Sequence, residues 1–339
     1  MNLSNNLEYV LNLIHADRTF FDEYITSEDQ TNYFKVSQVK KRSGMRTIYE
    51  PKGDKLQSIY KAIYEELKLY RPEIHDAAHG FLKDRSNVTN ARLHLGARFV
   101  LNLDIKDFFD SIRTCDVEKA FLRLGFNEEV ADVLSKFCTV NGVLPQGVNG
   151  SPDISNHCFY DYDVLLSEHS SKYGIVYTRY ADDMSFSGRL RINETPFKAS
   201  EVISIIEDDS NFVVAKEKTK IQKRGANQYV TGLTIFDSEM PRVSKKYKRR
   251  LRLELYIIGK IGIDQFIINL HKLPDQPNDN DSLESQIWRK ELDELATDKI
   301  AQIEGRINYL NGVEPIVAAR MRPLLDVIYE ARKVSQKSK

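Results

Sequence analysis

The stretch GIVYTRYADDMSFS, residues 174–187, decides the fold of this chain. Two short segments rich in β-branched and aromatic residues flank the adjacent acids Asp182 and Asp183, and this pattern predicts a β-hairpin with the acids at its tip. Adjacent carboxylates repel each other, so folding gains nothing from placing them together. A pair of divalent cations would remove the repulsion, which makes phosphoryl transfer the chemistry to expect. The alternative for an isolated Asp-Asp pair is an ordinary turn.

A third acid stands at the end of another apolar segment. The run FVLNLD, residues 99–104, predicts a buried strand that ends in Asp104. Taken alone, Asp104 is also compatible with a helix cap. Three carboxylates can hold two Mg²⁺ ions about 3.5–4 Å apart, one acting on an attacking hydroxyl and the other on a leaving pyrophosphate. Magnesium keeps waters and takes oxygens from substrate phosphates, so three protein carboxylates suffice.

The composition is that of a globular protein with two or three subdomains: 339 residues, 41% apolar and 29% charged. With 49 basic and 49 acidic residues, the overall charge does not indicate a nucleic-acid partner. The three cysteines have neither zinc nor disulfide spacing, which predicts a reduced, cytoplasmic compartment. The N-terminus has no signal-peptide pattern and no apolar run approaches the roughly 20 residues that span a bilayer, so no membrane partner is expected.

Local periodicity predicts helices alternating with short strands. Residues 1–30 form a helical lead-in, because Leu7, Val10, Leu11 and Ile14 share one helical face. The other helices are predicted at residues 56–70 (ended by Pro72), 116–124 (with Asp116 as N-cap), 128–138 and 197–208. Further strands are predicted as a pair within residues 34–50, and at residues 211–215 and 228–236.

Several motifs, in this order, resemble those of reverse transcriptases. Residues 99–109 resemble the first catalytic motif, residues 144–152 the loop that positions template and nucleotide, and residues 180–183 the YxDD box. Asn90–His94 matches the NAxxH signature of retron reverse transcriptases, and Val230–Gly232 matches their VTG signature. In these positions, the two signatures together favour the retron type.

The resemblance implies a catalytic centre. Asp104, Asp182 and Asp183 would be the metal ligands, joined by the backbone carbonyl of Ile105. Two Mg²⁺ ions would be the cofactors and deoxynucleoside triphosphates the substrates. Lys218 lies where the family has a lysine that acts as an acid towards pyrophosphate, although the lysines two positions before and after it are alternatives.

The resemblance also implies nucleotide contacts. Phe109 would be the steric gate that rejects a ribose 2′-hydroxyl, the alternative being a core phenylalanine. Gln146 and Gly147 would approach the nucleotide and template, the alternative being an ordinary Pro-Gln-Gly turn. Arg46 and Lys52 are candidates to hold the triphosphate, and each is also compatible with a solvated surface charge.

By resemblance the fold class is α+β, a right-hand polymerase with fingers, a palm on a small antiparallel sheet, and a helical thumb. We assign the N-terminal helix and fingers to residues 1–100, the palm to 101–240 with an interleaved fingers segment at about 116–150, and the thumb to 241–339. The basic run from Arg242 to Arg252 begins the thumb, and we expect it to contact phosphates rather than to form a solvated helix face. Residues 274–285 are expected to form an exposed insertion.

The implied function is RNA-directed DNA synthesis. A structured non-coding RNA of the msr–msd type would be both template and primer, and synthesis from one of its 2′-hydroxyls would give a short RNA-linked DNA (msDNA). Such systems serve bacterial defence against phage beside a separate effector protein, which places the chain in the bacterial cytoplasm. The alternatives are a reverse transcriptase of another bacterial lineage, such as a group II intron or stand-alone defence enzyme, and a non-catalytic RNA-binding scaffold on a polymerase fold.

Overall fold

The computed structural model describes residues 7–13, 17–40, 44–237, 239–274, 277 and 282–337. The chain divides into two compact units, Met1–Thr231 and Gly232–Lys339. Helices and antiparallel strands occur in both units, so the predicted α+β class is confirmed. Among the described residues, no helix is both long and apolar enough to cross a membrane.

The first unit contains most of the short elements. Its helices are α1 (Leu7–Leu13), α2 (Arg18–Ile25), α3 (Gly53–Leu67), α4 (Asn87–Arg92), α5 (Phe108–Ser111), α6 (Thr114–Arg123), α7 (Glu128–Cys138), α8 (Ser151–Cys158), α9 (Tyr160–Ser171) and α10 (Ala199–Glu207). Its strands are β1 (Phe34–Lys40), β2 (Met45–Pro51), β3 (Phe99–Asp104), β4 (Val176–Tyr180), β5 (Asp183–Gly188), β6 (Lys220–Lys223) and β7 (Tyr229–Val230).

The central sheet of the first unit has the strand order β4-β5-β3-β6, and all of its pairs are antiparallel. β3 lies between β5 and β6, and its apolar residues Phe99, Val100, Leu101 and Leu103 are all buried. Burial on both faces explains why this strand is mainly apolar rather than alternating. The sheet therefore fixes the position of Asp104, the last residue of β3.

The predicted strand pair of residues 34–50 is confirmed as the hairpin β1–β2, with Phe34 opposite Pro51 and Lys40 opposite Met45. Most of β1 is exposed, and only Phe34 is buried. The Tyr49 backbone N–H donates to the Gln146 carbonyl oxygen at 2.8 Å, which ties β2 to the loop of residues 144–152. In the lead-in, Leu7, Val10 and Leu11 are buried as predicted, whereas Ile14 lies outside the described residues.

The second unit is mainly helical. It contains α11 (Lys245–Ile261), α12 (Ile263–His271), α13 (Leu283–Val313), α14 (Pro315–Ala319) and α15 (Arg322–Lys337), and β8 (Leu233–Thr234) pairs with β9 (Arg242–Val243). The long helix α13 buries Leu292, Ala296, Ile300, Ile303 and Ile307, every third or fourth residue, as one helical face requires. The predicted insertion at residues 274–285 falls mostly outside the described residues.

Two strand predictions are wrong. Residues 211–215 form no strand, because Val214 makes a single bridge to Ile105 and the chain then turns away. Residues 228–236 are interrupted between β7 and β8, where Thr231 has φ 45° and Gly232 has φ 82°. A left-handed pair of residues forms a turn and cannot continue a strand. The sheet edge is β6 instead, whose polar sequence KIQK gave no strand signal.

Two helix boundaries also differ from the prediction. α6 begins at Thr114, and Arg113 is its cap residue. Asp116 is the third residue of the helix rather than its cap, and its carboxylate accepts a hydrogen bond from the Arg113 backbone N–H at 2.8 Å. The helix expected over residues 56–70 ends at Leu67, and a 3₁₀ turn that contains Pro72 follows. A proline has no N–H for the α-helical ladder, and the chain tightens where it occurs.

Candidate active site

The predicted acidic hairpin is formed by β4 and β5, and it turns at Ala181 and Asp182. Tyr180 pairs with Asp183, so these two residues close the loop. Ala181 has φ 58°. A positive φ at the first loop residue is what a tight two-residue hairpin requires, although glycine adopts it at lower cost than alanine. Asp182 therefore sits in the turn, and Asp183 begins β5.

Asp104 joins the two hairpin acids through the sheet register. It lies directly opposite Asp183 in the β3–β5 pair. The next residue, Ile105, donates its backbone N–H to the Asp182 carbonyl oxygen at 3.0 Å. Two segments far apart in the sequence thus bring three carboxylates to one end of the sheet.

The electrostatics of the cluster reflect burial and like charge. Burial, followed by the charges of Asp182 and Asp104, raises the pKa of Asp183 to about 7. The pKa of Asp182 is also raised, mainly by burial and by the charge of Asp104, while Lys218 and Arg46 act in the opposite direction. Both shifts mean that the ionised carboxylates are disfavoured here until positive charge compensates them.

Lys218 is the lysine that reaches the acids. Its Nζ lies 2.6 Å from Oδ1 of Asp104, and this hydrogen bond raises the pKa of Lys218. Lys216 instead faces Glu207 at 3.7 Å, and Lys220 is an exposed residue of β6. Of the three lysines that the sequence left open, the structure brings Lys218 to the cluster.

The donor set fits a hard divalent cation, because Mg²⁺ prefers carboxylate and carbonyl oxygens. Among the described residues, no three side chains of Asp, Glu, His or Cys are already arranged around one point as a metal would require. The Lys218 ammonium, 2.6 Å from Asp104, places one positive charge beside the three carboxylates. The chemistry of the residues fits the cation.

A cavity of about 420 Å³ opens beside the cluster. Its lining includes Arg46, Ile105, Phe109, Gln146, Asp182 and Lys218. Three residues with predicted nucleotide contacts, Arg46, Phe109 and Gln146, therefore line the same cavity as Asp182.

Two predicted site residues are placed elsewhere. Lys52 donates from Nζ to the Asn32 carbonyl oxygen at 3.0 Å and is outside the lining of this cavity, among the residues that the structure describes. Gly147 has φ 100°, and a Cβ on it would lie 2.7 Å from Ile48 Cγ2 and 2.9 Å from the Tyr49 carbonyl oxygen. Close packing on β2 thus requires glycine at this position.

A buried arginine below the hairpin was missed by the sequence analysis. The Arg179 side chain is fully buried and makes a two-pronged ion pair with Asp163, at 2.9 and 2.6 Å. Its Nη1 also donates to Asn156 Oδ1 and to the Ala181 carbonyl oxygen, each at 3.1 Å. An arginine inside an otherwise apolar and aromatic strand, three residues before the acid pair, was the available signal.

The two retron signatures meet in space. Asn90 is fully buried and its Nδ2 lies 3.4 Å from Thr231 Oγ1, while Asn87 accepts from the same hydroxyl through its carbonyl oxygen at 3.2 Å. His94 hydrogen-bonds with Thr178 Oγ1 and Ser187 Oγ, each at 2.7 Å. The first signature therefore braces both strands of the acidic hairpin and the turn that contains the second signature.

The basic run divides into paired and exposed residues. Arg242 lies in β9 and pairs with Asp237 at 2.7 Å, and Lys248 pairs with the buried Glu314 at 2.9 Å. Arg249 and Arg252, on the outer face of α11, are exposed. The paired residues stabilise the second unit, so only part of the run is available to a ligand.

Residues 39–243 match the sequence family described as reverse transcriptase (RNA-dependent DNA polymerase). The chain belongs to the reverse transcriptase family. This membership, with the antiparallel central sheet, confirms the predicted right-hand polymerase fold and the assignment as an RNA-directed DNA polymerase.

Several similar proteins are retron enzymes. The chain is 31% identical to the retron Ec86 reverse transcriptase of Escherichia coli over 239 residues, which cover 69% of this chain and 72% of that enzyme. It is 32% identical to the retron Mx65 reverse transcriptase of Myxococcus xanthus over 248 residues, covering 67% of this chain and 56% of that enzyme. The predicted retron type is confirmed by these matches.

Solved structures of telomerase resemble the chain more remotely. Apo telomerase from Candida tropicalis is 13% identical, with a TM-score of 0.44, covering 89% of this chain and 61% of that one. Telomerase from Candida albicans in complex with a fragment of telomeric RNA is 12% identical, with a TM-score of 0.45, covering 82% and 56%. These scores are too low to bear on function.

Proposed function

We propose that this reverse transcriptase makes DNA by two-metal phosphoryl transfer at Asp104, Asp182 and Asp183. The observation that carries the proposal is the register of the central sheet, which sets Asp104 opposite Asp183 and beside the loop acid Asp182. A non-catalytic scaffold would have no use for buried carboxylates whose charge is disfavoured by their surroundings.

The metal site would consist of the three carboxylates and the Ile105 carbonyl oxygen. Two Mg²⁺ ions, when bound there, supply charge neutralisation and an activated primer hydroxyl. The Nζ of Lys218 lies 2.6 Å from Oδ1 of Asp104, and we assign Lys218 the donation of a proton to the departing pyrophosphate. Its raised pKa keeps it protonated before the reaction.

The nucleotide would occupy the cavity of about 420 Å³. Arg46 supports this placement, because its charge lowers the pKa of Asp182 and its side chain lines the same cavity. A triphosphate bound there would need such a cation. Phe109 would stand against the sugar and exclude a 2′-hydroxyl, and Gln146 would hydrogen-bond with the nucleotide or template. Lys52 and Gly147 would act indirectly, by supporting the hairpin β1–β2 and the loop packed on it.

The template would be a structured non-coding RNA of the msr–msd type that also supplies the primer 2′-hydroxyl. The retron enzymes among the relatives support this substrate, and the product would be a short msDNA joined to RNA. By the same relationship, the chain would work in the bacterial cytoplasm, in defence against phage, beside a separate effector protein.

The second unit would serve as the thumb. We assign fingers, palm and thumb as in the sequence analysis, with the exposed face of α11 on the primer–template duplex. Arg249 and Arg252 are exposed and so is Tyr256, which gives this face positive charge beside an aromatic ring. Exposed cationic side chains bind phosphates by releasing counterions, so binding should weaken steeply as salt rises.

The test uses the full chain purified from its native host, with the bound nucleic acid extracted. The inactive variant is Asp182→Asn/Asp183→Asn. A matched control is Asp208→Asn/Asp209→Asn, which neutralises another adjacent pair of aspartates, both exposed, at the end of α10. Denaturing gels before and after RNase compare the DNA that each protein carries.

We expect a short DNA of defined length that shifts but survives RNase in the parent and in the control pair, and no DNA in the inactive variant. DNA in the inactive variant would refute the metal-ligand assignment. RNA alone in every sample, with synthesis on an added primer–template, would assign the chain to another bacterial lineage. RNA binding without synthesis in the parent would favour a scaffold.

A further inference from the structure

Phe81 has a backbone conformation that aromatic residues rarely adopt. Its φ is 68°, in the left-handed region, where a bulky side chain is a genuine outlier. The residue is 38% exposed, so burial in the core does not offset the strain. Strain that persists in an exposed aromatic residue indicates that the surrounding structure holds the ring in a particular place.

The backbone before Phe81 is fixed against the acidic hairpin. Ala78 bridges to Arg179 in parallel, and the Arg179 backbone N–H and carbonyl bond to Ala77 and His79, each at 2.7 Å. The Gly80 carbonyl oxygen accepts from Asn156 Nδ2 at 3.1 Å. The segment of residues 77–80 thus follows β4 like an extra edge strand and determines where Phe81 begins.

Gly80 brings this segment as close to the hairpin tip as a backbone can come. A Cβ at Gly80 would lie 2.7 Å from the Ala181 backbone nitrogen, a distance that real Cβ atoms do not adopt. The chain therefore enters Phe81 directly beside the hairpin that carries the acids.

The Phe81 ring reaches the residue proposed as the gate. The centroids of Phe81 and Phe109 are 6.2 Å apart with planes at 59°, and Phe108 contacts Phe109 from another side at 5.6 Å and 74°. Phe108 and Phe109 both line the cavity of about 420 Å³, whereas Phe81 is not among its described lining residues. Phe109 is therefore held between two aromatic neighbours, one of which is on a strained backbone.

We propose that Phe81 is a positioning residue for sugar selectivity: its ring supports Phe109 and keeps the gate against the sugar of the incoming nucleotide. The inference rests on the proposed role of Phe109. A gate works by a clash with the 2′-hydroxyl, and a ring that can tilt away by a fraction of its thickness loses that clash. Removing Phe81 relaxes selectivity without touching the nucleotide.

The decisive variant is Phe81→Gly, because glycine removes the ring and also relieves the left-handed φ. Phe81→Leu keeps a bulky side chain on the same backbone. Lys272→Gly is the matched control, since Lys272 is exposed, has φ 54° and lies in the other unit. Phe109→Ala tests the gate itself. The measurement is kcat/KM for a deoxynucleotide and for the matching ribonucleotide on an added primer–template, together with the thermal midpoint.

We expect Phe109→Ala to lower discrimination between the two sugars about 100-fold and Phe81→Gly to lower it about 10-fold. Phe81→Leu should lie between Phe81→Gly and the parent, and Lys272→Gly should match the parent. The thermal midpoint of Phe81→Gly should stay within about 3 °C of the parent, because relief of strain offsets the lost packing.

Three results would overturn the inference in distinguishable ways. If Phe109→Ala relaxes selectivity and Phe81→Gly does not, the gate stands and the role of Phe81 is refuted. If Phe109→Ala leaves selectivity unchanged, the gate assignment fails, and the role of Phe81 fails with it. A general loss of kcat for both sugars in Phe81→Gly and Phe81→Leu, at constant discrimination, would assign Phe81 to folding alone.

Discussion

Arg179 Nη1 lies 3.1 Å from the carbonyl oxygen of Ala181, inside the hairpin that carries the acids. Ala181 is the left-handed residue of that turn, so a charge-assisted hydrogen bond from a buried arginine holds the least favourable backbone position of the site. The same guanidinium is anchored by Asp163, which also accepts from the Tyr177 hydroxyl at 2.7 Å. The tip is thus preorganised from below by α9 and β4.

Arg179→Met should destabilise the protein by about 3–5 kcal/mol, because it leaves Asp163 buried without its counter-charge. Arg179→Met/Asp163→Asn removes both charges and should recover much of that loss in urea denaturation. Activity should remain at least about 10-fold low in the double variant, since the Ala181 carbonyl still lacks its donor. Full activity in a stable double variant would show that the arginine serves folding only.

Gly80→Ala tests whether close packing of residue 80 on the turn at Ala181 positions the acidic residues. The new Cβ would meet the Ala181 nitrogen at 2.7 Å, so the turn must shift by several tenths of an ångström. We expect kcat to fall about 10-fold or more with a smaller change in KM, because misplaced carboxylates affect the chemical step. The control is Gly305→Ala in α13, where a Cβ has open space. Equal kcat in the two variants would contradict the expectation.

Asp183→Asn separates stability from activity. Burial and neighbouring charge raise the pKa of Asp183 to about 7, so at about pH 8 the ionised form costs folding free energy. Asparagine should therefore stabilise the metal-free protein by on the order of 2 kcal/mol while lowering synthesis by about 1,000-fold. The stability cost of the parent is absent below the unfolded pKa, grows as the pH rises from there, and is complete once the pH has passed the folded pKa of about 7.

The same variant tests the cation. Adding Mg²⁺ should raise the thermal midpoint of the parent, because a ligand that binds the native state stabilises it, and EDTA should reverse the effect. Asp183→Asn should respond much less, whereas Asp208→Asn, on the surface after α10, should respond like the parent. An equal response in all three proteins would place the bound cation outside the acid cluster.

Patterns local in sequence predicted the elements that carry the chemistry. The acidic hairpin, the strand ending at Asp104 and the hairpin β1–β2 were all predicted, because alternation and apolar runs report directly on burial. The edge strand β6 was not predicted, since Lys220–Lys223 buries no continuous apolar face. Its pairing comes from β3, a neighbour more than a hundred residues away in the sequence.

The contacts that hold the acidic residues in place could not be predicted from the sequence, because they join residues that are far apart in the chain. The Asp104–Lys218 contact joins residues that 113 others separate, and only the resemblance suggested it. The bonds from Arg179 to Asp163 and Asn156 depend on how α8 and α9 pack under β4. Gly147 was assigned to the nucleotide, whereas its close neighbour is β2. A glycine in the sequence can indicate that another group approaches the backbone closely, but it does not identify that group.

His94 makes the hairpin sensitive to acid. Burial lowers the pKa of His94 to about 3, and it lowers those of His79 and His157 to about 4. The unfolded chain binds these protons at about pH 6.5, and the folded chain does not. Stability should therefore be fully present above about pH 6.5 and fall as the pH decreases, by about 1.4 kcal/mol per pH unit for each histidine.

His94→Gln isolates one of the three contributions. Glutamine can hydrogen-bond with both Thr178 and Ser187 but does not titrate, so the variant should lose less stability than the parent between about pH 6.5 and 5, by about 2 kcal/mol. Urea midpoints across this range measure the difference directly, and the opposite contribution of Asp183 cancels because both proteins contain it. Parallel pH profiles would mean that the folded parent takes up the proton at His94 and that the imidazole is not held neutral between the two strands.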